Sequence, residues 1–219
     1  MPQDDQLSLL GPTTRVLLMR HADVENPHRI LYGHLPGFHL SALGRAQAAA
    51  VGRSLRESGI RRILHSPLDR ARETAELVNA ELPQPVPLVP EPALTEAEFS
   101  RYLQGVAYWR IPLARPRWFA HKLRRGALDG DEPIDELGGR VLQVANRLAR
   151  EYPGETTLCV SHADPLQAAW ILLDGRPRTE REMGHKAVGR AGILEVDFDG
   201  ERVASVRYHP GPRKEALQP

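Results

Sequence analysis

Val16-Leu17-Leu18-Met19-Arg20-His21-Ala22 is an apolar run that ends on an arginine and a histidine. Such a run reads as a buried strand carrying two polar side chains to its C-terminal edge, the edge where ligands bind in open α/β sheets. Leu158-Cys159-Val160 leads in the same way into Ser161-His162-Ala163-Asp164-Pro165, and Arg62-Ile63-Leu64 into His65-Ser66-Pro67 and then Arg70. Two histidines and two arginines therefore converge from three strands. That combination points to a phosphate site built around a nucleophilic histidine.

Outward from these strands the chain alternates strand and helix patterns, which predicts an α/β sandwich with a mainly parallel sheet. A long loop from Asp23 to Leu40 follows the first strand, and loops of that length at a strand end are more often functional than idle. Ser41 is placed to cap a helix reaching Ser58, with Leu43, Ala46, Ala50 and Leu55 on one face and Gly59 as its stop. Ser66-Pro67-x-Asp69 reads as the start of a second helix running to about Leu82. Arg70 lies in its early turns, where a cation opposes the helix dipole and a bound anion would offset the cost. Five prolines between Pro83 and Pro92 predict extended chain. Residues 97–130 form a mixed insertion. Helices are expected from about Asp135 to Tyr152 and from Pro165 to near Gly175. Leu194–Phe198 and Arg202–Tyr208 alternate around Asp199-Gly200, a hairpin signal.

The 219 residues suit a single domain over 14–210, with 1–13 and 211–219 as tails. No apolar run approaches the roughly 20 residues of a membrane span or resembles a signal peptide. The one cysteine, Cys159, sits in an apolar run, so no disulfide framework exists, and a cytoplasmic protein is expected. Net charge is +1, yet Phe99–Leu128 holds seven bases and no acid: Arg101, Arg110, Arg115, Arg117, Lys122, Arg124 and Arg125. This stretch is either a solvated surface or a field that draws anions. The basic insertion, with Tyr102, Tyr108, Trp109, Trp118 and Phe119, either caps the site and grips a second anionic group or a ring of the substrate, or packs on the sheet with its aromatics in the core.

The motifs resemble those of the histidine phosphatase superfamily, the fold shared by cofactor-dependent phosphoglycerate mutases and histidine acid phosphatases. They stand in family order as Arg20-His21-Ala22, then Ser66-x-x-x-Arg70-Ala71-x-x-Thr74-Ala75, Leu94-Thr95-Glu96, and Ser161-His162. The resemblance spans about Arg15 to Tyr208. It implies a three-layer α/β sandwich with a mainly parallel central sheet, phosphoglycerate mutase-like, plus the C-terminal hairpin and a basic cap at about 97–130.

The resemblance also implies roles. His21 is the nucleophile that becomes phosphorylated, while Arg20 and Arg70 offer planar forks to phosphate oxygens. His162, cationic when the phosphate is bound, contacts the same group. Glu96 protonates the leaving oxygen and later deprotonates water, a dual role that needs a raised carboxyl pKa. Glu98, two positions on, is the alternative acid. Asn26 matches a phosphate-contacting asparagine if one residue is deleted before it, and Ala163, where glycine is frequent, flanks the phosphate. Ala22 replaces the usual glycine and puts a methyl group to be housed near the site.

No metal or cofactor is implied. His28, His34 and His39 share the first loop but match no compact zinc spacing. Glu96 and His162 are only 66 positions apart, a short insertion resembling the phosphatase branch rather than the mutases. The expected activity is thus a phosphomonoesterase using a phosphohistidine; a mutase-type phosphotransferase and a non-catalytic phosphate-ester module are the alternatives. The expected partner is a small phosphorylated substrate rather than nucleic acid or a membrane. The oligomeric state, homodimer included, is left open.

Overall fold

In a computed structural model of the protein, residues 13–185 and 187–217 are described. The leader expected over 1–13 lies almost wholly outside them. A six-stranded sheet runs in the order β3-β2-β4-β1-β5-β6. Its strands are β1 (Thr14–Arg20), β2 (Ile60–His65), β3 (Leu88–Pro90), β4 (Thr156–Ser161), β5 (Ile193–Asp199) and β6 (Arg202–His209). The first four in spatial order are parallel, while β5 and β6 are antiparallel to their neighbours.

Because side chains alternate across a strand, β1 feeds two cores at once. Leu17 and Met19 pack beneath α1 (Ala42–Ser54) and α2 (Asp69–Glu81), whereas Val16 and Leu18 pack beneath α6 (Ile134–Glu151) and α7 (Ala163–Leu173). Both faces are covered, which explains why β1 and β4 are continuous apolar runs. The result is the three-layer sandwich. Cys159 is fully buried in β4, where burial pushes its thiol pKa up and leaves it a core residue.

The first helix corrects one expectation. Ser41 caps it, accepting from Gly44 N at 3.0 Å. However, the buried face is Gly44, Gln47, Ala48, Val51 and Gly52, rather than the leucine-bearing face the periodicity suggested. Backbone approach decides this. A Cβ on Gly44 would meet the Asp23 carbonyl at 1.9 Å, and one on Gly52 the Val78 carbonyl at 2.8 Å, so the helix docks on its glycines. α2 also starts later than its sequence implies: Leu68 precedes it without a side-chain cap, while Ser66 Oγ accepts from Leu68 N at 3.3 Å and meets His162 Nε2 at 2.7 Å. Arg72 pairs with Glu76 at 3.0 Å, as the i, i+4 spacing predicts.

The proline-rich segment forms β3 at the sheet edge, where a strand tolerates proline. Residues 97–130 fold into three short helices, α3 (Phe99–Leu103), α4 (Ile111–Ala114) and α5 (Arg117–Leu123), and a further short helix α8 (Glu180–Gly184) follows α7. The first loop is tied to this cap by an Ile30–Ala107 bridge and by Leu31 N donating to Val106 O at 2.9 Å. Beyond the hairpin, residues 211–217 fold back: Gln47 Nε2 donates to Pro212 O at 3.3 Å, and Lys214–Leu217 is a 3₁₀ turn. Among the described residues no helix is long and apolar enough to cross a membrane.

Candidate active site

The parallel strands β1, β2 and β4 end at one edge, and their register places Arg20 beside Ser161 and His65 beside Val160. The residues that follow are therefore delivered together. His21 and His162 lie with ring centroids 5.1 Å apart, both buried. A cavity of about 250 Å³ opens over His21, lined among others by Arg20, His21, Glu96, Ala163, Asp164 and Arg190, while His162 and Arg70 stand behind this lining.

His21 is poised as a neutral base. Its Nδ1 lies 2.8 Å from Ala22 O, so Nδ1 carries the proton and the Nε2 lone pair faces outward. Burial pushes the imidazole pKa far below its ordinary value, and Arg190, His162, Arg70 and Arg20 push it further. Arg70 Nε donates to His21 Nε2 at 3.3 Å, and Arg190 Nη1 sits 3.1 Å from Nε2 and 3.2 Å from Nδ1. Two guanidinium groups thus lie against one imidazole.

Arg70 is 1% exposed, with Nη2 donating to Gly33 O at 2.9 Å and its guanidinium 4.7 Å from the Tyr32 ring centre. Arg20 Nη1 donates to Val188 O at 2.8 Å, but its Nε is buried without a partner. Desolvation, then the charge on Arg190, lowers the Arg20 pKa to about 10. His162 Nε2 meets Ser66 Oγ at 2.7 Å, while its Nδ1 is buried with no partner. Burial and then Arg70 hold this ring neutral in the unliganded site. The cationic form expected with phosphate bound requires an anion to offset those arginines.

Glu96 lines the cavity and Glu98 does not: Glu98 is exposed and pairs with Arg101 at 2.6 Å. Glu96 accepts from Ala97 N at 3.0 Å. Its pKa is raised by burial and then by the nearby Asp164 carboxylate. Ala163 lines the cavity at the start of α7. Asn26 does not. Its amide is spent on the loop itself, bonding Ile30 O at 2.8 Å and Ile30 N at 3.1 Å, so the sequence match was to a local turn. The extra methyl of Ala22 is housed in the core beneath α1 and α2 rather than against the site. His34 bonds Ala97 O at 3.2 Å, His39 pairs with exposed geometry to Glu73, and His28 is exposed, so the three loop histidines diverge.

Arg190 was not anticipated. It precedes β5, and because β5 is antiparallel to β1 it begins where β1 ends. Ala191 holds φ +54°, a conformation costly for a non-glycine residue, and its N–H donates to His21 O at 3.4 Å. Arg190 Nη2 donates to Tyr32 Oη at 2.7 Å. The signal available in the sequence was Gly189-Arg190-Ala191-Gly192, a glycine-flanked arginine just ahead of a strand.

A family model described as histidine phosphatase superfamily (branch 1) matches residues 16–209. The chain belongs to this superfamily. Among relatives of this superfamily member, the uncharacterized protein Rv0525 of Mycobacterium tuberculosis is 34% identical over 200 residues, covering 89% of this chain and 95% of that one. A 2,3-bisphosphoglycerate-dependent phosphoglycerate mutase of Methylobacterium sp. is 33% identical over 171 residues, 73% of this chain and 80% of the mutase. The solved structure of Bacillus stearothermophilus YhfR superposes with a TM-score of 0.76 at 23% identity, covering 87% and 94% of the two chains, a likeness of fold.

Proposed function

We propose that this histidine phosphatase superfamily member is a metal-independent phosphomonoesterase that works through a phosphohistidine on His21. The observation that carries the reading is the neutral His21 imidazole facing the cavity, with Arg70 donating to its Nε2, Arg190 Nη1 against the ring, and the unpartnered Nε of Arg20 close by. Three guanidinium groups compensate the equatorial charge of a transferring phosphoryl group, and a neutral imidazole approaches that anion without repulsion.

In the first step His21 Nε2 attacks phosphorus and the ester P–O bond breaks. The leaving oxygen takes the proton of Glu96, whose pKa is raised by burial and by Asp164 so that the protonated form persists above the usual carboxylate range. In the second step water attacks the phosphohistidine, Glu96 accepts its proton, and inorganic phosphate leaves with His21 restored. His162 Nδ1 gains a phosphate oxygen as partner, which favours its cationic form. Release of phosphate from p-nitrophenyl phosphate, without isomerisation of 3-phosphoglycerate, tests the reading; the mutase likeness makes isomerisation the second outcome to be measured.

Two expected results follow from the charge arrangement. Arg190→Ala is expected to lower kcat/KM for p-nitrophenyl phosphate by about 10²–10³-fold, the scale of losing one preorganised electrostatic donor, with partial recovery in Arg190→Lys. A loss of less than about threefold would place Arg190 outside the phosphate site. Activity is also expected to persist in excess EDTA, because guanidinium groups occupy the role of a metal clamp. Loss on chelation, restored by zinc or magnesium, would overturn the metal-independent mechanism.

A further inference from the structure

The basic cap left open a grip for a second anion, but those of its seven bases that reach the cleft are paired with carboxylates. Only Lys122 and Arg125 of the seven face the cleft. Arg125, its side chain 5% exposed, donates from Nε to Glu180 and from Nη2 to Asp164 at 3.2 Å. Lys122 Nζ lies 2.8 Å from Glu180. His121, beside Lys122 on α5, bonds Asp131 at 2.8 Å and stacks on Phe99 with ring centres 4.3 Å apart. Burial lowers its pKa, so this ring is neutral. Two cations therefore meet two carboxylates, and the wall is closed in charge.

Beyond the cavity over His21 lies a second, of about 410 Å³, which shares with it Leu31, Leu103, Tyr108, His121, Arg125 and Asp164. The two make one cleft running from the nucleophile out beneath the cap. The remaining apolar wall of the outer part is Ile111, Pro112, Trp118 and Met183. A second carboxylate or phosphate entering there would face Asp164 and Glu180. To reach Arg125 it would have to displace Glu180, whose side chain is 9% exposed, and leave that buried carboxylate with Lys122 as its one remaining cation. An uncharged group with an apolar face meets no such cost and gains by leaving water.

Resting on the phosphomonoesterase reading, we propose that the alcohol released from the substrate is uncharged and largely apolar, an aryl-bearing or branched aliphatic group seated between Leu31, Leu103, Ile111, Trp118 and Met183. The phosphate is then the substrate's one anionic group. The charge of the cap serves to fasten α5 to α8 and α7 over the cleft: Lys122 and Arg125 join it to Glu180, and Arg125 to Asp164.

The test compares kcat/KM for 2-phenylethyl phosphate and 3-phosphoglycerate, both esters of primary alcohols, so that leaving-group chemistry is held near constant. The expected preference for the phenylethyl ester is at least about 100-fold, within the range that a misplaced polar or apolar group produces in a pocket. Trp118→Ala, at a half-exposed ring, should cut that preference about 10-fold through KM. Glu180→Gln, which frees Arg125 and Lys122, should narrow it from the other side by improving 3-phosphoglycerate. Equal or reversed preference in the wild type would overturn the proposal while leaving the phosphatase reading in place. If neither ester is hydrolysed, titration calorimetry of the same two esters on His21→Asn decides between them: tighter 3-phosphoglycerate binding overturns the leaving-group class, and tighter phenylethyl binding supports it although the activity reading has failed.

Discussion

Replacing His21 by asparagine or alanine is expected to lower kcat for p-nitrophenyl phosphate by at least about 10⁴-fold, the order seen when a covalent nucleophile is removed. No other group can take over, because His162 Nε2 is engaged by Ser66 and His162 does not line the cavity that His21 faces. Asparagine is the better variant, since its amide can reproduce the bond to Ala22 O that a buried position would otherwise lose. Circular dichroism would confirm folding. Rapid quench of the wild type should in turn trap a base-stable, acid-labile phosphoryl group that the variant lacks. A variant retaining more than a few per cent of activity, roughly the limit that contaminating turnover explains, would sink the phosphohistidine mechanism.

The second large effect concerns the proton. Glu96→Gln should reduce kcat/KM by about 10²–10⁴-fold for esters of poor leaving groups such as 2-phenylethanol, and far less for p-nitrophenyl phosphate, whose phenolate departs unaided. kcat/KM is the parameter to follow, because it reports the phosphorylating step and ignores slower water attack. The pH dependence has a definite sign. Burial and Asp164 raise the Glu96 pKa, so the protonated acid survives above the usual carboxylate range and activity on alkyl esters falls as pH rises through that raised value. The glutamine variant should lose this limb. On the acid side, the lowered His21 pKa moves protonation of the nucleophile below the ordinary histidine range. Equal losses on both ester types would remove Glu96 from the role, and Asp164, beside it in the cleft, would be tested next.

Much of this protein was written in its local sequence. The run Val16–Met19 is buried on both faces and ends on Arg20 and His21, and β4 and β2 repeat the device with His162 and Arg70. Strand periodicity and the motif spacing are short-range properties, so the sequence alone is enough to bring these groups to one sheet edge. The hairpin around Asp199-Gly200 was legible for the same reason: Gly200 sits at φ +59°, as a tight turn of that kind requires.

What the local sequence could not supply is whatever depends on which distant segments lie side by side. Arg190 is 169 positions from His21 and reaches it because β5 pairs antiparallel with β1, a choice made by the sheet as a whole. Asn26 matched a motif by residue type, yet its amide found nearer partners in its own loop and never turned to the phosphate edge. The burying face of α1 was set by how closely Gly44 and Gly52 let it approach other backbone, a contact invisible to hydrophobic periodicity. The cap shows the difference most clearly. Phe99–Leu128 carries seven bases and no acid, but Glu180 and Asp164, 55 and 39 positions from Arg125, pair with the bases that reach the cleft. Net charge along a chain is a property of sequence, whereas the field inside a cleft belongs to the neighbours that folding assembles around it.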